Sequence, residues 1–135
     1  MKKIVLILLI TASITGLSFA LKVIASPVDI SKDIITALNT GNVKEIAKFF
    51  NNTIDLMVPE NEGSYSKTQA ELILKNFFDK FKVKSFTLNH QGSSNDGSQF
   101  IIGTLNTNNG NFRTYCYIKK ISNTLNIQQL QFEKN

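Results

Sequence analysis

From Lys84 onward the apolar side chains of this chain recur at every second residue, whereas before it they recur every three or four. That change of period divides the sequence into a helical front and a strand-forming back, because side chains alternate across a strand but wind around a helix. Alternating segments at 84–90, 98–106, 112–120 and 124–132 are separated by turn formers: Ser93-Ser94-Asn95-Asp96-Gly97, Asn108-Asn109-Gly110 and Ser122-Asn123. Asn109-Gly110 is the strongest hairpin signal, since tight hairpin turns demand positive φ and these residues tolerate it. Connections this short join antiparallel neighbours. The back half therefore reads as a four-stranded meander.

In the front half, Ser26-Pro27-Val28-Asp29 predicts a helix start, with Ser26 as cap, Pro27 at the first helical position and Asp29 near the positive end of the helix dipole. Ile30, Ile34, Ile35 and Leu38 follow at helical spacing, and Gly41 permits the left-handed turn that ends the element. Asn42 and Glu45 form a second capping pair, opening a short helix through Val43, Ile46, Ala47 and Phe50. "TIDLMV", residues 53–58, predicts a short strand, and Pro59 and Gly63 bracket a turn. Ser66-Lys67-Thr68-Gln69 is a capping box before the longest helix, whose Ala70, Ile73, Leu74, Phe77, Phe78 and Phe81 make a broad apolar stripe. The fold class is α+β, with three N-terminal helices packed on a curved, mainly four-stranded antiparallel sheet.

The first twenty residues, MKKIVLILLITASITGLSFA, have the layout of a secretory signal. Lys2 and Lys3 precede an apolar run from Ile4 to Ile14, and Ser18 and Ala20 supply small residues before a cut ahead of Leu21; a cut after Ala25 is the alternative. The run falls short of the roughly 20 apolar residues that span a bilayer, so no stable membrane span is expected after its removal. The expectation is export to the periplasm or the exterior, with one domain over residues 26–133. Loss of Lys2 and Lys3 lowers the net charge from +5 to +3, too small and diffuse for a nucleic-acid footprint. Lys75, Lys80, Lys82 and Lys84 read as a solvated helix edge. Cys116 is the lone cysteine, which excludes an internal disulfide, and its place between Tyr115 and Tyr117 makes it a buried small hydrophobe.

"ITALNTGNVKEIAKFFNNTIDLMVP" resembles the opening of the nuclear transport factor 2-like superfamily, also called ketosteroid isomerase-like or cystatin-like. "EGSYSKTQAELILKNFFDKF" resembles the third helix of those domains, and the four strands complete their sheet. More narrowly, "GSYSKTQAELILKNFF", "HQGSSNDG" and "IQQLQFEKN" resemble a small family of secreted bacterial domains with no assigned function. The resemblance implies a cone-shaped domain, and a fold that serves enzymes, binding modules and dimerisation domains alike. In the isomerase branch a carboxylate base precedes the Pro that ends the first strand; here Val58 precedes Pro59. Residues 97–132 contain no Asp or Glu, and the first helix has no Tyr, so the acid that would stabilise an enolate is also missing.

The leading expectation is therefore a secreted, non-enzymatic binding or interaction domain using its cone interior or its outer sheet face. A small apolar ligand in the cone would meet Phe49, Phe50, Phe77, Phe81, Phe86 and His90. An envelope protein or a second copy would meet the outer face, for which Ile101, Tyr115, Tyr117 and Leu130 are the candidates, since the late strands carry apolar residues at both parities. The alternative is an enzyme of the isomerase-like type with His90 as acid or base, helped by Asp55 or Tyr65. His90, the only histidine, shares a strand face with Phe86 and Leu88 and so is expected to point toward the helices. No cofactor and no metal is expected: one His and one Cys offer no ligand spacing, and there is no Gly-rich phosphate loop and no nucleophile elbow.

Overall fold

Helix α1 (Ser31–Thr40) begins where the Asp29 carboxylate accepts the Ser31 N–H at 2.9 Å and the Ile30 carbonyl accepts the Ile34 N–H at 3.1 Å. The start is thus set by Asp29. The computed structural model describes residues 29–135; Ser26, Pro27, the secretory segment and both of its cutting points lie outside the described residues. At the other end Gly41 turns left-handed, and the N–H groups of Gly41 and Asn42 return to the carbonyls of Leu38 and Ala37. Asn42 Oδ1 then accepts the Glu45 N–H at 3.2 Å and opens α2 (Val43–Ala47). Phe50, expected at the end of this helix, instead opens a strand, because it pairs with Ile127 in the sheet. The predicted capping box is formed in both directions at the start of α3 (Lys67–Lys80): Ser66 Oγ accepts the Gln69 N–H, and Gln69 Oε1 accepts the Ser66 N–H, each at 3.3 Å.

Among the described residues six strands make one open mixed sheet: β1 (Phe50–Val58), β2 (Asn61–Ser66), β3 (Val83–Ser93), β4 (Gln99–Thr107), β5 (Gly110–Ile121) and β6 (Thr124–Lys134), in the order β2-β1-β6-β5-β4-β3. This corrects the expected, mainly four-stranded antiparallel sheet. The four late strands do form an antiparallel meander, but β1 runs parallel to β6, with Leu56 opposite Leu130, and β2 closes back on β1 as an edge hairpin. NEGSYS, the sequence of β2, carries no alternation; its residues other than Tyr65 are exposed, and it is a strand through its pairing with β1.

The helices cover one face of the sheet. Ile54 and Leu56 of β1, Ile101 and Leu105 of β4, Phe112, Cys116 and Ile118 of β5, and Ile127, Leu130 and Phe132 of β6 are all nearly inaccessible on that side. Two bulges set which residues face it. On β6, Tyr117 pairs with Gln129 while the next residue, Ile118, pairs with Ile127, so Gln128 is extra, and Ile127, Leu130 and Phe132 all point inward despite their uneven spacing. On β3, Leu88 pairs with Gly103 while His90 pairs with Ile102, so Asn89 is extra and the face changes there. The core is densely aromatic. Phe77 has ring centroids of Phe78, Phe81, Phe112 and Phe132 between 5.1 and 5.6 Å away, the Phe112 ring edge-on.

Candidate functional site

The space between the helices and the inner sheet face is filled by phenylalanines. Phe50, Phe77 and Phe86 are each less than 8% exposed and pack into the core, with Phe49 and Phe81 partly buried against it. Phe86 lies over Gly103, where a β-carbon would collide with its ring. What remains at the Pro59 end is a cleft of about 120 Å³ lined by Val58, Pro59, Ile73, Phe77 and Phe81. The expected apolar ligand chamber is thus core.

His90, Asp55 and Tyr65 do not come together. His90 is exposed on the outer face of β3, its ring 5.3 Å from that of Phe100; the bulge at Asn89 overturns the expectation that it points toward the helices. Asp55 is exposed on β1, where it accepts a hydrogen bond from Ser64 Oγ. Tyr65 of β2 pairs with Ile54 and packs against the core on the opposite face. Four strand spacings separate β3 from β1, roughly 19 Å along the sheet at about 4.8 Å each. Proton transfer between groups so placed has no route. Among the described residues, no group of three or more His, Cys, Asp or Glu could hold a metal ion.

The outer face differs from its expected composition. Ile101 and Leu130 are fully buried beneath the helices, because they pair with Cys116 on the inner side. Tyr115 and Tyr117 do face outward, half-buried, and their neighbours are Ile102 and Phe100 on β4. Register aligns these into two rows: His90, Ile102, Tyr115, Gln131, Met57 and Glu62 in one, and Gly92, Phe100, Tyr117, Gln129, Asp55 and Ser64 in the other. The face grades from aromatic and branched on β4 and β5, through amides on β6, to carboxylates on β1 and β2.

A larger cavity, about 830 Å³, opens at the end of the inner sheet face where α1 begins. Its floor is made by Gln91, Gln99, Lys120 and Leu125, which continue the inward parity of β3, β4, β5 and β6 past the apolar core. Asp29 and Ser31 at the start of α1 form its roof, and Ser93–Gly97 and Asn123 its rim. Ser31 Oγ donates to Gln99 Oε1 at 2.9 Å, a buried hydrogen bond tying roof to floor. The rim turn is held by Ser94 N–H to the Ser98 carbonyl at 2.8 Å, Gly97 N–H to the Ser94 carbonyl at 3.0 Å, and Ser98 N–H to Asp96 Oδ1 at 2.9 Å. The Ser98 N–H, then its hydroxyl, and to a lesser degree Lys119, hold the Asp96 carboxyl below its ordinary value. Gly97 sits at φ +89°, which a side chain resists, and a β-carbon there would lie 2.6 Å from Lys120 Cδ, so the lysine stem crosses the turn at this glycine. Sequence reasoning took these segments for hairpin tips; the signal for a site was the density of amides and hydroxyls at tips that meet in space.

A family model described as a domain of unknown function (DUF4783) matches residues 31–133. The solved structure of a DUF4783 family protein from Bacteroides uniformis is 36% identical with TM-score 0.75, covering 79% of this chain and 98% of that one. A DUF4783 family protein from Bacteroides fragilis is 34% identical with TM-score 0.72, covering 79% of this chain and 100% of that one. More distantly, a putative ketosteroid isomerase from Kribbella flavida shares 7% identity with TM-score 0.55, covering 78% of this chain and 75% of that one. That likeness concerns the fold, which is nuclear transport factor 2-like. No curated protein matches the chain.

Proposed function

The chain belongs to the DUF4783 family, and from that premise we propose that it is an exported, non-enzymatic interaction domain whose outer sheet face pairs with a second copy of itself. The observation that carries this reading is the cluster of Phe100, Ile102, Tyr115 and Tyr117, half-buried on a face that none of the described helices covers. A sheet face turned to water is ordinarily polar, and a contiguous aromatic and branched patch marks a surface that is covered in use. The filled interior and the separation of His90 from Asp55 and Tyr65 favour association over catalysis. The N-terminal pattern of Lys2, Lys3 and the apolar run supports export.

A second copy is the occupant because the face complements itself. On β5, Arg113 lies opposite Glu133 of β6, in the row next to Tyr115 and Gln131. A two-fold axis parallel to the strands and between β5 and β6 would set Arg113 of each copy against Glu133 of the other. The same axis would lay Tyr115 and Tyr117 on the amides of Gln131 and Gln129. Symmetric contacts of this kind use one patch twice. Sedimentation of the mature protein at micromolar concentration is expected to show a dimer, and Ile102→Lys to give a folded monomer. A wild-type protein that stays strictly monomeric refutes the proposal.

A further inference from the structure

We infer that the cavity beneath the start of α1 is a binding site for a neutral, polyhydroxylated ligand, a short saccharide. This site lies on the helix-covered side of the sheet and is independent of the proposed dimer face. The lining groups open to a ligand are chiefly amide and hydroxyl: Gln91, Asn95 and Asn123 with Ser93 and Ser94, around the buried Ser31–Gln99 pair. Each amide offers an acceptor and two donors, and each hydroxyl can do both. A sugar hydroxyl also donates and accepts, so such a surface can pair with it in either direction. An anion uses donors alone and a cation uses acceptors alone.

The charges narrow the class further. Asp29 and Asp96 stand on two sides of the cavity, which opposes a bound anion, and Lys120 on its floor opposes a cation. Each carboxylate is anchored by a main-chain N–H at 2.9 Å, that of Ser31 or Ser98, and keeps accepting capacity beyond that bond. Leu125 is the sole apolar side chain, glycines aside, among the described lining residues, so the cavity's carbon surface comes largely from backbone and the stems of polar side chains. Hydrogen bonds within the 94–98 turn and the buried Ser31–Gln99 bond hold the backbone of the rim turn and the junction of roof and floor, and such preorganisation lowers the entropy cost of binding. The volume falls within the range of ligand pockets, roughly 300–1,000 Å³.

The test is a two-dimensional amide NMR titration of the mature protein with glucose, galactose, mannose and N-acetylglucosamine and with their linear trisaccharides. Inorganic phosphate and glycine serve as comparison probes. At least one saccharide is expected to saturate, with shifts centred on Gln91, Asn95 and Asn123. Gln91→Ala and Asn95→Ala, both at exposed positions, are each expected to weaken that binding by about tenfold, the effect of one good hydrogen bond. The Ile102→Lys variant is expected to bind as the wild type does, which keeps this result separate from the oligomeric state. Three outcomes overturn the inference: no saccharide in the panel saturates, the shifts map to another surface, or only phosphate or glycine binds in the cavity.

Discussion

Replacing Gly103 by Ala tests the packing that fills the cone. Gly103 lies on the inner face of β4 opposite Leu88, with the Phe86 ring directly over it. An added β-carbon would meet Phe86 Cε1 at 2.9 Å and the Thr87 carbonyl oxygen at 2.5 Å. The ring can retreat, but the carbonyl belongs to the backbone of β3, which is held in register with β4. Overpacking of this kind costs about 1–3 kcal/mol. A retreat that uncovers roughly 60 Å² of the Phe86 ring adds about 1.5 kcal/mol at ~25 cal/mol per Å². Alanine recovers about 0.5–1 kcal/mol relative to glycine in a strand. The net loss is about 1.5–4 kcal/mol, expected to lower the melting temperature by about 10 °C and the urea midpoint by about 1–2 M. Adding Phe86→Leu should return part of the loss, and the double-mutant cycle should give a coupling of about 1 kcal/mol. A Gly103→Ala protein within about 0.5 kcal/mol of wild type would refute the close packing of Phe86 on β4.

Two titratable groups give further tests. The Asp96 carboxyl, held below its ordinary 3.8 first by the Ser98 N–H, should titrate by carbon-13 NMR with a midpoint under 3.8. Its folded value is the lower one, so its stabilisation of the 94–98 turn is present above the unfolded value and is lost as pH falls through the folded one; a midpoint at or above 3.8 contradicts the hydrogen bond. Burial pushes the Cys116 thiol up to about 12, so iodoacetamide at about pH 8 should leave the folded protein unmodified and alkylate it once urea unfolds it. Prompt alkylation of the folded protein would place Cys116 at the surface.

Local chemistry was legible in this sequence and long-range geometry was not. Gly41, Asn42 and the Ser66–Gln69 box act within a few residues of themselves, and each performs in the structure as its type and spacing foretell. Alternation likewise located the four late strands. It cannot say which parity faces the helices when both are apolar: Ile101 and Leu130 read as outward, while Phe100 and Ile102 on β4 and Gln129 and Gln131 on β6 hold those places. The extra residues Asn89 and Gln128 are defined only by a partner strand, and the first of them carried His90 to the opposite side from the one its strand pattern implied. NEGSYS is a strand only because β1 lies beside it. The large cavity is illegible for a related reason: the β3–β4 hairpin carrying Gln91, Asn95 and Gln99 meets the β5–β6 turn at Asn123 and the start of α1 only in space, and polar residues at tips look like turns.

The parallel pairing of β1 with β6 has a consequence for the order of assembly. Along the sheet, β6 is the sole bridge between the β1–β2 hairpin and the meander β5-β4-β3. It is also the element synthesised after every other in the domain. Until Thr124–Lys134 emerges, Phe50 and Leu56 lack their neighbours Ile127 and Leu130, more than seventy residues downstream. Contacts so distant in sequence form slowly, so the domain should condense in one late, cooperative step, with its two half-sheets waiting on a common keystone.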